Sequence, residues 1–166
     1  MRVCQVIDRF SGGGQERVAV ELARILVGHV GVSAALATRS SGDYELLLRE
    51  SQVVVFCGNR RHRYDLFGWA RIGRWLRRMR FDVVHAHSSG SLMAAVLLKR
   101  LFRLRYAVVL HLQMLPAPGT AWRAQAIKML RYARPAVSFS FTTNPALRAL
   151  PCKLVRLRGR RRRGRV

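Results

Sequence analysis

The strongest constraint on the fold of this chain is a regular alternation of short apolar runs with segments of helical periodicity. The apolar runs are residues 3–7, 32–37, 52–56, 83–86, 106–110 and 136–141. They are almost continuously apolar, which is typical of parallel strands covered by helices on both faces. The helical segments between them are residues 18–26, 66–79, 92–101 and 121–132. This order predicts an α/β fold: a single Rossmann-like domain with a doubly wound parallel sheet.

A glycine-rich turn, residues 11–17, joins the first predicted strand to the first predicted helix. Gly12, Gly13 and Gly14 would let the backbone approach a ligand closely, and the helix dipole adds about half a positive charge there. The spacing is not that of a dinucleotide fingerprint, and no acid ends the second strand, so NAD is disfavoured. Glu16 suits the helix dipole but would repel a phosphate, so it either binds hydroxyls or caps the helix. A tight turn without a ligand is the alternative.

Three histidines come at or near the ends of predicted strands, where side chains of a parallel sheet meet at one edge. His111 ends an apolar strand, where a polar side chain is costly unless it is used or paired. His87 is the expected substrate contact of the pair His85 and His87, and His85 is expected to be a hydrogen-bonded, partly buried histidine. No third ligand follows this pair at a telling spacing, so we expect no metal site.

The charge of the chain is extreme and uneven. The formal net charge is +23 at pH 7, and all eight acidic residues lie at or before Asp82. Such a charge predicts attraction to anionic partners, which include phosphorylated substrates, lipid headgroups and nucleic acid. Residues 66–80 read as a basic amphipathic helix, in which Trp69 and Trp75 accompany five arginines. It either lies on an anionic bilayer, with Trp69 and Trp75 at the interface and Arg71, Arg74 and Arg78 at the surface, or is an ordinary helix with a solvated arginine face.

The cysteines and the length of the apolar runs bear on the cellular compartment of the protein. The three cysteines, Cys4, Cys57 and Cys152, show no metal-ligand spacing and are expected to be reduced. No apolar run approaches the ~18–20 residues of a membrane span, and the first residues lack a signal-peptide core. We therefore expect a cytoplasmic protein, with peripheral attachment to the inner face of the membrane as a further alternative.

Four motifs in order resemble one enzyme family. They are the turn at residues 12–17 with the Val-x-x-x-Leu-Ala helix after it, Asp-Val-Val-His-Ala-His-Ser-Ser at residues 82–89, Val-Val-Leu-His at residues 108–111, and Ser-Phe-Ser-Phe-Thr-Thr-Asn at residues 138–144. Together they resemble the N-terminal domain of the retaining glycosyltransferases of group 1/family 4, which have two Rossmann domains in the GT-B arrangement. The resemblance covers roughly residues 1–150 and does not identify the sugar or the acceptor.

The resemblance implies a role for each candidate site residue. His111 matches the histidine at the donor–acceptor cleft, which hydrogen-bonds a sugar hydroxyl and helps to stabilise the oxocarbenium-like transition state. The expected substrate-binding residues are Gly12, Gly13, Gly14, Glu16, His87, Ser88, Thr143 and Asn144. For Thr143 and Asn144, a turn without substrate contact is the equal alternative. No cofactor is expected.

The resemblance also implies that part of the enzyme is missing. In the family, a basic pair and a Glu-x₇-Glu pattern in the C-terminal domain hold the nucleotide sugar, and this sequence contains neither. We therefore expect a truncated, acceptor-binding half that serves transfer from a nucleotide sugar to a saccharide or lipid-linked acceptor. On its own it would be inactive or would need a separate polypeptide that carries the donor half.

The last residues leave other interpretations open. Residues 151–166 form an arginine-rich tail that is expected to be disordered, because like charges repel and no core pattern is present. The tail is either genuine or the product of a shifted reading frame. The alternative function is a basic, non-catalytic module for nucleic acid or an anionic membrane. Nucleic acid is the less favoured partner, because the tail has no aromatic residues for base stacking.

Overall fold

The computed structural model describes residues 1–112 and 137–141, and it describes side chains for residues 1–111. Its strands are β1 (Arg2–Arg9), β2 (Val32–Ser40), β3 (Val54–Cys57), β4 (Val83–Ala86), β5 (Ala107–Leu112) and β6 (Val137–Phe141). Its helices are α1 (Gly14–Leu26), α2 (Tyr44–Glu50), α3 (Leu66–Met79) and α4 (Ser89–Leu101). The predicted strand–helix alternation is confirmed over these residues.

The six strands form one parallel sheet in the order β3-β2-β1-β4-β5-β6. Strands β2 and β3 therefore lie on one side of β1, and β4, β5 and β6 lie on the other side. β1 is bonded on both sides: Gln5 is in register with Ala35 of β2 and with His85 of β4. The point where the order reverses lies between β1 and β4, and in open α/β sheets ligands bind beyond the carboxyl ends of the strands at such a point.

Helices cover both faces of the sheet, as a doubly wound fold requires. On one face, Val6 and Val84 pack with Leu76 of α3 and Leu98 of α4 in the larger core cluster. On the other face, Ile7 and Ala35 belong to a second cluster with residues of α1 and α2. Both faces of β1 are therefore buried, which accounts for its almost continuous apolar sequence.

Several element boundaries differ from the predicted ones. α1 begins at Gly14 rather than at residue 18, because extended Gly13 is its N-cap and accepts a hydrogen bond from the Arg17 amide at 2.9 Å. α4 begins at Ser89 rather than at residue 92, because the Ser88 side chain caps it. β3 begins at Val54 rather than at residue 52, because Gln52 takes the left-handed conformation with φ 59°.

One helix of the structure was not predicted, and two predicted segments lie outside the described residues. The seven-residue helix α2 was not predicted, since it is shorter than the window in which periodicity is readable. The helix predicted at residues 121–132 and the tail predicted at residues 151–166 lie outside the described residues. The division of the chain into a domain of residues 1–150 and a tail therefore stays a prediction.

The apolar stripe of α3 faces the sheet. Ile72 and Leu76 are buried in the larger cluster, and Trp69 is partly buried against it. Trp75 stacks on Phe56 of β3 with ring centroids 4.7 Å apart. The expectation that Trp75 lies at a bilayer surface is therefore wrong, because its ring is used in the packing of α3 against the sheet.

Close packing of α3 depends on the absence of a side chain at Gly73. This residue is buried in the middle of the helix, and a Cβ atom there would collide with the ring of Phe102 at the end of α4. We predict that Gly73→Ala lowers the free energy of unfolding by about 1 kcal/mol or more, measured by urea denaturation. The overpacking cost of about 1–3 kcal/mol exceeds the helix-propensity gain of about 0.5–1 kcal/mol.

The matched control is Gly28→Ala, because a Cβ atom at Gly28 meets nothing within 4 Å. We expect this variant to stay within about 0.5 kcal/mol of the original chain. Equal unfolding free energies for the two variants would contradict the close packing of α3 against Phe102.

Candidate functional site

The glycine turn and the start of α4 flank the point where the strand order reverses. The turn follows β1 and leads into α1, while Ser88 follows β4 and leads into α4. Gly12, Gly13 and Gly14 are exposed at this edge. The predicted convergence of the turn and the end of β4 follows directly from the pairing of β1 with β4.

The side chain of Glu16 folds back over the turn. A Cβ atom added at Gly13 would collide with the Glu16 carboxylate, so the carboxylate lies directly against the Gly13 backbone. Glu16 is in the first turn of α1, where a negative charge is favourable to the helix dipole. The carboxylate therefore lies at the helix start but forms no cap hydrogen bond among the described residues, so both roles of Glu16 stay predictions. A glycine at position 13 is what lets the carboxylate occupy that place.

Asp8 is a candidate site residue that the sequence analysis missed. It lies near the carboxyl end of β1, and its Oδ1 accepts a hydrogen bond from the Thr38 hydroxyl of β2 at 3.0 Å. Its other oxygen, Oδ2, would be 3.5 Å from a Cβ atom at Gly90 in the first turn of α4. Asp8 therefore links the ends of β1 and β2 and faces the start of α4. An acid within an apolar strand was the available signal.

Three histidines form a cluster on one face of the sheet near its carboxyl edge. His85 of β4 is in register with Val109 of β5, so His87 lies level with His111. The ring centroids of His85 and His87 are 4.4 Å apart, and those of His87 and His111 are 5.4 Å apart. His85 and His111 stack with an interplanar angle of 12° and a centroid separation of 5.6 Å. The sequence separates His111 from the other two by a whole helix, and parallel pairing brings it back.

A buried glutamine holds one member of this histidine cluster. The Nε2 atom of His87 is 2.7 Å from Oε1 of Gln5 on β1, and both side chains are buried. Among the residues that the structure describes, His85 Nε2 and His87 Nδ1 have no hydrogen-bond partner although both atoms are buried. The expectation of a hydrogen-bonded His85 is therefore not met by the described residues.

Burial keeps the histidine cluster neutral. Burial, together with the neighbouring His85 and His111, lowers the pKa of His87 to about 3. Burial and His111 lower the pKa of His85 to about 4, and burial also lowers the pKa of His111. The imidazole rings therefore carry no proton charge near pH 7 and offer lone pairs as acceptors or ligands.

Ser88 has a structural role at the start of α4. Its hydroxyl accepts a hydrogen bond from the Ser91 amide at 3.0 Å, and the Ser91 hydroxyl accepts one from the Ser88 amide at 2.9 Å. The two residues form a capping box that satisfies two amides of the first turn. Thr143 and Asn144 lie outside the described residues.

A basic surface runs along the exposed side of α3. Arg71, Arg74 and Arg78 are exposed, as predicted from the periodicity of this helix. Beside them, Leu66 and Phe67 are 77% and 90% exposed, an unusual position for large apolar side chains. Trp69 is partly buried, and its Nε1 donates a hydrogen bond to the Arg63 carbonyl at 2.9 Å. Among the described residues, the helices are too short or too polar to cross a membrane.

The fold and its edge define a Rossmann-like α/β domain of the kind that makes up one half of a GT-B glycosyltransferase. The model of the family Glycosyltransferase Family 4 matches residues 12–161. The chain therefore belongs to this family.

Solved structures with the same fold have low sequence identity to this chain. Alr3699/HepE of Anabaena, in complex with UDP and glucose, aligns with a TM-score of 0.63 and 15% identity over 83% of this chain and 37% of that one. Its complex with UDP-glucose gives a TM-score of 0.64. MurG of Acinetobacter baumannii gives a TM-score of 0.57 and 18% identity over 86% of this chain and 42% of that one. The chain thus spans well under half of these proteins. No curated protein matches it.

We predict that Ser88→Ala lowers the free energy of unfolding by about 1 kcal/mol, because it removes the side-chain cap of α4. Urea denaturation measures the loss, and hydrogen exchange should show faster exchange of the Ser91 amide. The control is Ser89→Ala, since the Ser89 hydroxyl makes no hydrogen bond to any described residue. An unchanged Ser91 amide in Ser88→Ala would contradict the capping box.

Proposed function

We propose that this chain is the acceptor-binding, N-terminal part of a retaining glycosyltransferase that transfers a sugar from a nucleotide sugar to a saccharide or lipid-linked acceptor. The observation that carries the proposal is the match of Glycosyltransferase Family 4 to residues 12–161. The carboxyl edge of the sheet supports it, because the glycine turn and the ends of β4 and β5 meet there, where such sheets bind ligands. Neither the family model nor the structural neighbours support the alternative of a basic module without catalysis.

His111 is the proposed catalytic contact to the transferred sugar. Its position on β5, near the carboxyl edge, suits a hydrogen bond to a sugar hydroxyl at the cleft. Its lowered pKa makes the ring a neutral partner for such a hydroxyl. Gly12, Gly13 and Gly14 are the proposed backbone contacts, because they are exposed at the same edge.

Other proposed contacts lie at the same edge and also have roles in the local structure. His87 is buried and bound to Gln5, so its proposed part is to position the neighbouring ring of His111. Ser88 and Glu16 also take part in the local structure of α4 and α1. Thr143 and Asn144 remain proposed on the sequence motif alone. We add Asp8, whose carboxylate faces the start of α4 from the end of β1.

The donor is proposed to be a nucleotide sugar held by a second domain or a separate polypeptide. The structural neighbour HepE is in complex with UDP-glucose, and this chain aligns with 36% of it. We therefore propose that sugar transfer requires a donor half in addition to the residues of this chain.

We predict that the isolated chain binds an acceptor and does not transfer sugar. Saturation-transfer NMR with a panel of free saccharides and lipid-linked saccharides should detect binding, and His111→Ala should weaken it about tenfold, as expected for one lost hydrogen bond. His29→Ala is the control, because His29 is exposed in the turn before β2, at the opposite edge of the sheet. Transfer from UDP-glucose by the chain alone, or UDP-glucose binding without any acceptor binding, would contradict the proposal.

A second proposed property is attachment to an anionic membrane through the start of α3. Exposed Leu66 and Phe67 would enter the interface while Arg71, Arg74 and Arg78 contact lipid headgroups. The apolar stripe of the helix is packed against the sheet, so only its amino end offers apolar side chains to the bilayer. This arrangement would bring the acceptor edge close to a lipid-linked acceptor.

We predict that the chain sediments with phosphatidylglycerol vesicles and not with phosphatidylcholine vesicles. Phe67→Ser should weaken binding about tenfold or more, because burying a Phe side chain contributes about 1.5–3 kcal/mol. Leu46→Ser on α2 is the control, since Leu46 is similarly exposed at 67% on another helix. An equal loss of vesicle binding in both variants would contradict attachment through the start of α3, because Leu46 lies on another helix.

A further inference from the structure

The histidine cluster has the composition and spacing of a metal site. One ring nitrogen from each of His85, His87 and His111 lies within 4.8 Å of the other two. Nitrogen ligands on one tetrahedral zinc ion are about 3.4 Å apart, given zinc–nitrogen bonds of about 2.0–2.1 Å. Small rotations of the rings would bring the three nitrogens to that separation. We infer that His85, His87 and His111 bind one divalent transition-metal ion of the zinc class.

Two buried ring nitrogens are a second, independent indication of a bound ion. His85 Nε2 and His87 Nδ1 are buried without a hydrogen-bond partner among the described residues. A buried polar atom in that condition costs free energy unless something binds it. Two such atoms on two adjacent rings are explained together by one ion that accepts both lone pairs.

Gln5 supplies the outer contact that metal-binding histidines usually have. Its Oε1 lies 2.7 Å from His87 Nε2, so it accepts the proton of that nitrogen and leaves Nδ1 as the lone-pair atom. In proteins, a ligating histidine almost always donates its other ring N–H to a carbonyl or carboxylate oxygen, which fixes the tautomer and the ring orientation. Gln5 is therefore a positioning residue for His87.

The chemistry of the three ligands selects the class of ion. Imidazole suits zinc, copper, iron and nickel, whereas magnesium and calcium require oxygen ligands. Three protein ligands leave a fourth position of a tetrahedral ion for water. Beyond residue 112 the sequence contains Cys152 but no His, Asp or Glu.

The sequence predicts no metal site, because no third ligand lies near His85 and His87 in the chain. The third ligand comes from β5 through parallel pairing with β4, and the spacing of residues along the chain does not reveal it. The inference is independent of acceptor binding, because it requires only the cluster and Gln5.

The test uses the untagged chain, freed of metal by chelation and then titrated with Co²⁺ as a spectroscopic probe and with Zn²⁺ in competition. We expect one ion per chain, visible absorption typical of four-coordinate cobalt, and no thiolate-to-cobalt charge-transfer band. His85→Ala should weaken binding by about 100-fold or more, and Gln5→Met by about 10–100-fold. His62→Ala is the matched control, since His62 is exposed and outside the cluster.

A second measurement does not depend on the folding of variants. In the chain labelled with ¹⁵N-histidine, Zn²⁺ should move the ring signals of His85, His87 and His111 and leave those of His29 and His62 unchanged. Absence of binding, binding that persists in His85→Ala, or a thiolate band would overturn the inference. Sugar binding without metal binding would overturn the inference and leave the proposed function intact.

Discussion

The structure depends most on the placement of β1 in the middle of a parallel sheet. Gln5 is paired in register with β2 on one side and β4 on the other, and both faces of the strand are covered by helices. Because β1 is hydrogen-bonded to a strand on each side, it fixes where the strand order reverses. The glycine turn and the start of α4 meet at that point because each directly follows one of the two central strands.

The same pairing places polar groups within an otherwise apolar sheet. Gln5 is level with His85 and His85 with Val109 in the parallel register, and His87 and His111 lie two residues further along β4 and β5 on the same face. A polar cluster of this kind costs stability unless its atoms are satisfied. The Gln5–His87 hydrogen bond meets part of that requirement, and an ion or a substrate hydroxyl would meet the rest.

The positive charge of the described residues is concentrated apart from this cluster. The exposed arginines of α3 lie on the side of the helix away from the sheet, beside exposed Leu66 and Phe67. Helix α3 therefore serves two surfaces: its apolar stripe stabilises the sheet, and its basic side is available to an anionic partner. Trp75 belongs to the first of these, because it stacks on Phe56 of β3.

The sequence by itself determined the order of strands and helices, the parallel sheet and the family, because apolar runs and helical periods are local signals. It missed α2, which is too short for periodicity, and the first turns of α1 and α4, whose caps depend on single residues. Only the tertiary structure decided that His85, His87 and His111 form one cluster with Gln5. That cluster depends on two registers: β1 with β4, which pairs Gln5 with His85, and β4 with β5, which pairs His85 with Val109, so residues distant in the chain meet.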